Sequence, residues 1–175
     1  MNIKNQIIED NIEIMKQMKT LLASLTDKEY QDNQYPPYQS GIGKHIRHIL
    51  DYYNLFLDNY SNKVDYEARM RNLRCEKEIF FSNKTIDDTI EKLKKLANID
   101  IDKTEITINL NEGTENSKEV SDCRTNMKRE LQFLSFHAIH HFSMIGNILY
   151  EQNKEIPQYF GYAPSTVRYN ETLNI

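Results

Sequence analysis

The stretch Thr125–Gln152, TNMKRELQFLSFHAIHHFSMIGNILYEQ, decides how this chain folds. Thr125 is placed to cap a long helix reaching about Gln152. Along it Leu134, His137, His141, Met144 and Ile148 recur at steps of three and four, tracing an inward seam. His137 and His141 therefore occupy positions where packed helices want apolar side chains. They are four residues apart, so their rings project side by side. That spacing lets two imidazoles share a metal ion at about 2.0–2.1 Å each. Buried imidazoles need partners, because an unpaired buried polar group costs about 2 kcal/mol or more. Two readings follow: core histidines hydrogen-bonded to tyrosine or backbone, or a metal that satisfies both, with a third ligand from a facing helix. His140, turned about 100° from His141, faces a groove or solvent.

Working outward, Ile7, Ile8, Ile12, Ile14, Met15, Met18, Leu21, Leu22 and Leu25 give an amphipathic first helix over Ile3 to Leu25. Asp27 to Gln39 is polar and holds Pro36 and Pro37, which predicts a surface loop. Ser40 is an N-cap for a second helix to about Tyr60, with Gly41 and Gly43 marking either close packing or a frayed first turn. A short helical pattern with Arg69, Arg71 and Arg74 lies between Asp65 and Phe81. Its arginines read first as a solvated or salt-bridged face and second as an anion site. Thr85, followed by Asp87 and Asp88, predicts the start of a third helix ending near Ala97, with Ile86, Ile90, Leu93 and Leu96 inward.

The period then changes. Thr104 to Leu110 alternates Ile106, Ile108 and Leu110 with polar residues, as a half-buried strand does. Asn111 to Asn116 makes a turn, and Lys118 to Arg124 returns. Beyond the last helix, Pro157, Gly161 and Pro164 predict an irregular tail, whose Tyr159, Phe160 and Tyr162 lay it back on the helices. The expected fold is all-α: an up-down-down-up-type four-helix bundle with a small β-hairpin insertion before the last helix, in a single domain over residues 1–175.

Composition is that of an ordinary globular chain: 39% hydrophobic and 27% charged residues over 175 positions. A net charge of −4 argues against a nucleic-acid partner. The two cysteines, Cys75 and Cys123, stand apart, which disfavours a disulfide framework or a thiolate zinc site. With no apolar leader and no span of about 20 apolar residues, neither secretion nor a membrane is expected, and the cytoplasm is the expected setting.

All five histidines fall in two clusters, the second being His45 and His48 on the second helix. Lys44, Arg47, Asp51, Asn54 and Asp58 define that helix's outer face, and Ile42, Ile46, Ile49, Tyr53 and Phe56 its inner one. His45 lies nearer the centre of the inner face and His48 at its flank, so periodicity alone slightly favours His45 as third ligand.

The run His48-Ile49-Leu50-Asp51, followed some ninety residues later by His137-Ala138-Ile139-His140-His141, resembles the DinB-like (YfiT-like) family of four-helix-bundle proteins. The resemblance covers most of the chain. It implies one histidine from the second helix and the first and last of the HxxHH run as ligands, which are His48, His137 and His141, holding a divalent metal such as nickel or zinc. His45 then becomes a supporting residue. Phe142, Ser143 and Met144 stand where members often carry an Arg-Gly-Gln-like stretch, and the Phe160–Thr166 tail looks like a subgroup feature.

Three neutral imidazoles leave open positions on a metal, as catalytic sites do. The resemblance implies an enzyme acting with a low-molecular-weight thiol, as an S-transferase, or as a hydrolase, and it implies a homodimer. Glu130 and Asp51 are structural first and helpers of the site second, and no catalytic residue is named. The competing reading is a non-catalytic metal-binding or stress-related interaction module that dimerises.

Overall fold

The computed structural model describes residues 6–112 and 119–173. Among them are seven α-helices and three short strands. The helices are α1 (Gln6–Ala23), α2 (Asp27–Gln31), α3 (Ile42–Asn59), α4 (Leu73–Lys77), α5 (Ile79–Lys95), α6 (Met127–Glu151) and α7 (Pro164–Leu173). A 3-10 turn, Leu96–Asn98, continues α5. The strands β1 (Lys63–Val64), β2 (Glu105–Glu112) and β3 (Glu119–Asn126) form a mixed sheet in the order β1-β2-β3.

Four long helices surround the core. α1 packs on α5 and α6, and α3 packs on the same two. Ile8, Ile12, Met15, Met18 and Leu22 of α1 are buried, as their three- and four-residue spacing predicts. A polar clamp crosses this core. Asn11 donates to the Leu131 carbonyl at 3.2 Å and accepts from the Tyr53 hydroxyl at 2.6 Å, tying α1, α6 and α3 together. Other cross-links set which ends meet: Lys19 pairs with Asp87, Lys92 with Asp58, and Lys154 with Glu29.

The second helix begins at Ile42, and Gly41 rather than Ser40 is its N-cap. The Ser40 hydroxyl is turned to His45 instead. The glycine at 43 marks close packing: a Cβ there would lie 2.2 Å from the Glu76 carbonyl oxygen. The stretch expected as a plain loop contains α2, whose Thr26 and Glu29 form a reciprocal capping box. Tyr30, within α2, is fully buried, and its hydroxyl meets the Cys75 carbonyl and the Ser82 hydroxyl.

The third long helix starts at Ile79, six residues before the expected Thr85. Thr85 lies inside it and donates back to the Phe81 carbonyl at 2.9 Å. Tertiary anchoring of Ser82 by Tyr30 outweighs the local cap signal, and Asp87 serves instead as the partner of Lys19. Only Leu73–Lys77 of the Asp65–Phe81 pattern is helical before α5 begins.

β2 and β3 pair antiparallel from Glu105↔Asn126 to Glu112↔Glu119, so Asn111 and Glu112 belong to the strand rather than to the turn. The rest of the expected turn, residues 113–116, and Lys118 lie outside the described residues. Ile106 and Ile108 are buried, but Leu110 is 39% exposed because the hairpin has passed the edge of the core. The unexpected third strand, β1, pairs parallel to β2 with Lys63↔Thr107 and Val64↔Ile108. Thr125 is paired with Ile106 in the sheet, and the cap of α6 is Asn126, whose side chain accepts from the Arg129 amide at 2.9 Å.

The tail does lie back on α6. Phe160 stacks on Phe142 at 4.5 Å, and the Ser143 hydroxyl donates to the Gly161 carbonyl. It is not irregular throughout, because Pro164 opens α7; proline suits the first turn of a helix, where its missing N–H leaves no bond unmade. No helix among the described residues is long and apolar enough to cross a membrane.

Candidate metal centre

α3 and α6 lie against each other and bring the two histidine clusters together. The buried seam of α6 runs through Leu131, Leu134, Ala138, Phe142, Ile145 and Leu149. His137, His141 and Met144 are half-buried and flank that seam, so the inward line expected through them is displaced by one helical row. On α3, His45 is 5% exposed and His48 is half-buried at the flank, as the helical wheel predicts. Flanking positions, His48 on α3 and His137 and His141 on α6, thus meet at the seam between the two helices.

His48, His137 and His141 each offer a ligand nitrogen, and these atoms lie within 4.8 Å of one another. Ring centroids are 5.0 Å apart for His48 and His137, 4.6 Å for His48 and His141, and 4.7 Å for His137 and His141. His140 is exposed on the far side of His141, with its ring centroid 5.3 Å away.

His45 does not join the triad but holds it. Its Nδ1 lies 2.8 Å from Nδ1 of His141, and its Nε2 lies 3.1 Å from the Ser40 hydroxyl. Two neutral rings sharing an Nδ1–Nδ1 bond must be opposite tautomers, one donating and one accepting. If His141 offers the Nε2 lone pair to a metal, its Nδ1–H donates to His45. His45 then carries its proton on Nε2 and donates to Ser40. Every nitrogen of the chain is satisfied in that arrangement, and it is the pattern by which a neighbour fixes the orientation of a ligating imidazole.

Burial keeps these rings neutral. Desolvation pulls His45, His48 and His137 down to about 4 and His141 to about 2. Neighbouring imidazoles and Arg69 add to the effect on His48 and His137. Neutral imidazole is the form that ligates, so the site is ready for a cation near neutral pH. The fit to a metal rests on one further atom. Nε2 of His137 is buried without a hydrogen-bond partner, a costly state that a coordinated ion relieves.

An aromatic wall lines one side of the site, and the histidine spacing alone did not announce it. Tyr52 stacks on His137 at 4.4 Å and on Tyr66 at 5.1 Å, with Phe133 packed on Tyr66 at 5.4 Å. Tyr52 was legible, being one turn beyond His48 on the same face. Tyr66 and Arg69 come from the loop after β1, and no periodicity could place them. Glu130 accepts from the Tyr66 hydroxyl at 2.9 Å. Asp51 pairs with Arg47 at 3.0 Å and accepts from the Asn72 amide. Both carboxylates are therefore engaged in holding the wall and the α3–α4 contact. Of the three arginines, Arg74 is salt-bridged to Glu78 and Arg71 is exposed, while Arg69 reaches the histidines.

No family model matches the chain, and no solved structure matches it. Among curated proteins it is similar to FK506-binding protein 5 of Rhizopus delemar, 27% identical over 106 residues. That stretch is 61% of this chain and 27% of the relative's length. A likeness of that extent carries neither a family nor an activity to this chain.

Proposed function

We propose that this chain is a DinB-like metalloprotein that holds one divalent cation, nickel, zinc or a similar ion, through His48, His137 and His141. The observation that carries the reading is the buried, partnerless Nε2 of His137 converging with ligand nitrogens of two other neutral imidazoles. The arrangement is taken to be a single-domain up-down-down-up four-helix bundle. Supporting it, Asn11 meets Leu131 and Lys154 meets Glu29, so α1 and α6 share a direction. Lys19 meets Asp87 while Glu9 and Lys94 line the same groove, opposing α1 to α5, and Asn54 meets Thr89 while Asp58 meets Lys92, aligning α3 with α5.

A divalent ion with open positions beside three imidazoles acts as a Lewis acid and lowers the pKa of a thiol or water presented to it. The activity proposed is metal-dependent transfer to or from a small cellular thiol, or hydrolysis, carried out by a cytoplasmic homodimer. His48, His137 and His141 would hold the cation, the His45–Ser40 chain would hold the tautomer of His141, and the Tyr52–Tyr66–Phe133 wall would exclude water from one side. Metal analysis of protein purified without a nickel column tests this. About one ion per chain is expected, with loss in His137→Ala and His141→Ala; wild type that stays metal-free after incubation with zinc, nickel or manganese refutes it.

A second reading, a non-catalytic metal-binding interaction module, is favoured by the engagement of Glu130 and Asp51 elsewhere, which leaves neither as a base at the triad. Screening metal-loaded protein against bacillithiol-like, glutathione and coenzyme A thiols, and against esters, separates the two. Turnover of any of these favours the enzyme, and silence across all of them the module.

A further inference from the structure

Arg69 occupies an unusual place for an arginine. Its guanidinium lies 4.8 Å from the centroid of the Tyr52 ring, on the same aromatic stack that supports His137. Nη1 donates to the Tyr66 carbonyl at 2.9 Å, which pins the group to the loop after β1. Nη2 lies 3.5 Å from Nδ1 of His48, at the outer limit of a hydrogen bond. Nε is buried and has no partner. Two neighbouring arginines are paired, Arg47 with Asp51 and Glu76 and Arg74 with Glu78, while Arg71 is exposed to solvent. Among the described residues no carboxylate lies within ion-pair distance of Arg69. Asp51 feels its charge only at longer range, and Glu130 is held by Tyr66.

Charge counting gives this position its meaning. The triad contributes three neutral imidazoles and no negative charge. A divalent cation there would keep its full charge, with a fixed guanidinium beside it in a half-buried setting. Isolated charge in such a setting is costly and is compensated by an anion. A planar guanidinium with unspent N–H groups is shaped for carboxylate or phosphate oxygens.

We propose that Arg69 is the docking residue for an oxyanion group, carboxylate or phosphate, of the molecule that binds at the metal. This rests on the metal reading above and deepens it: the substrate is anionic, and its anionic group is received by Arg69 next to His48. The 3.5 Å contact with His48 is then the resting position of a guanidinium that turns its free N–H groups to the ligand.

Cobalt-loaded protein titrated with inorganic phosphate and, separately, with succinate supplies the test, read by the visible absorption bands of the metal. Wild type should bind cobalt and respond saturably to at least one of the anions. Arg69→Gln should keep its cobalt stoichiometry while its anion affinity falls by about tenfold or more, the scale of a lost charge-assisted hydrogen bond. Arg69→Lys, which keeps the charge but not the fork, should fall in between. A response to phosphate alone or succinate alone identifies which oxyanion the site accepts, and both outcomes support the proposal. Cobalt uptake with no anion response, or equal anion affinity in wild type and Arg69→Gln, overturns this inference alone. Failure of wild type to take up cobalt overturns the metal reading and this inference together. A measurement needing no substitution runs beside it: phosphate or succinate should protect Arg69 from phenylglyoxal in cobalt-loaded wild type, read by peptide mass mapping. Equal modification with and without the anions overturns the proposal.

Discussion

Replacing His45 with leucine tests whether a residue outside the proposed ligand triad controls His141 within it. His45 is 5% exposed, and leucine fills most of its space without a polar atom. The substitution removes the acceptor 2.8 Å from Nδ1 of His141 and leaves the Ser40 hydroxyl without its 3.1 Å partner. A buried donor stripped of its acceptor costs about 1–3 kcal/mol. In the metal-free protein His141 avoids that cost by moving its proton to Nε2. Binding a cation through Nε2 then requires the proton to move back, so the loss is charged to metal affinity rather than to folding. Neighbours of this kind are worth about 10–100-fold in affinity, or about 1.4–2.8 kcal/mol. Zinc affinity measured by competition with a chelating indicator should weaken by that factor in His45→Leu, and by less in Ser40→Ala. Urea unfolding of the metal-free variants establishes that both still fold. A zinc affinity for His45→Leu within twofold of wild type refutes the relay. So does nitrogen-15 NMR showing His141 coordinated through Nδ1. If His48→Ala binds normally and His45→Ala does not, the ligand assignment itself is overturned.

Acidification should destabilise the metal-free protein before its carboxylates matter. The four clustered imidazoles are depressed to about 4 or below by burial, whereas unfolded imidazoles titrate near about 6.5. Between these values the unfolded chain binds more protons, so stability rises with pH and falls as pH drops from about 6.5 towards 4. Urea midpoints should decline across that window; a flat profile from pH 6.5 to 5 contradicts the burial of the cluster. Glu29, held down to about 2 by Lys154 and the Thr26 cap, contributes stability that is lost only at lower pH, below its unfolded value. Asn11→Leu should cost about 2–4 kcal/mol, because it strands the buried Tyr53 hydroxyl and breaks the cross-link to the Leu131 carbonyl. Adding Tyr53→Phe should recover part of this loss, and strict additivity of the two changes would show that the clamp is not a unit. Gly161→Ala should release the tail from α6, since φ there is +77° and a Cβ would lie 2.6 Å from the Ser143 amide nitrogen. Limited proteolysis should then cut near residue 161 faster than in wild type, and unchanged cleavage rates would count against tail docking.

Much of this molecule was legible in its sequence. Helical periodicity located the four long helices, because burying one face of a helix constrains residue type at every third or fourth position. The alternation of Ile106 and Ile108 announced the hairpin for the same reason at period two. The i, i+4 spacing of His137 and His141 put their rings side by side, and the wheel placed His45 inside and His48 at the flank. Those are local consequences of backbone geometry, and a single chain segment carries them in full. The boundaries were less legible. Thr85, Ser40 and Thr125 all carry cap chemistry, yet each helix starts elsewhere: Tyr30 anchored Ser82 from across the fold, His45 one turn on claimed Ser40, and the sheet absorbed Thr125.

The tertiary structure alone decided how the site is composed. Only the packing of α3 on α6 brings His48 within reach of His137 and His141, and only it turns His45 towards His141 instead of into the cluster. Arg69 and Tyr66 reach the same place from a loop, where no periodic pattern constrains direction. A spacing rule tells which side chains share a face of one helix; which faces meet, and what a loop lays beside them, depends on contacts between residues far apart in the chain.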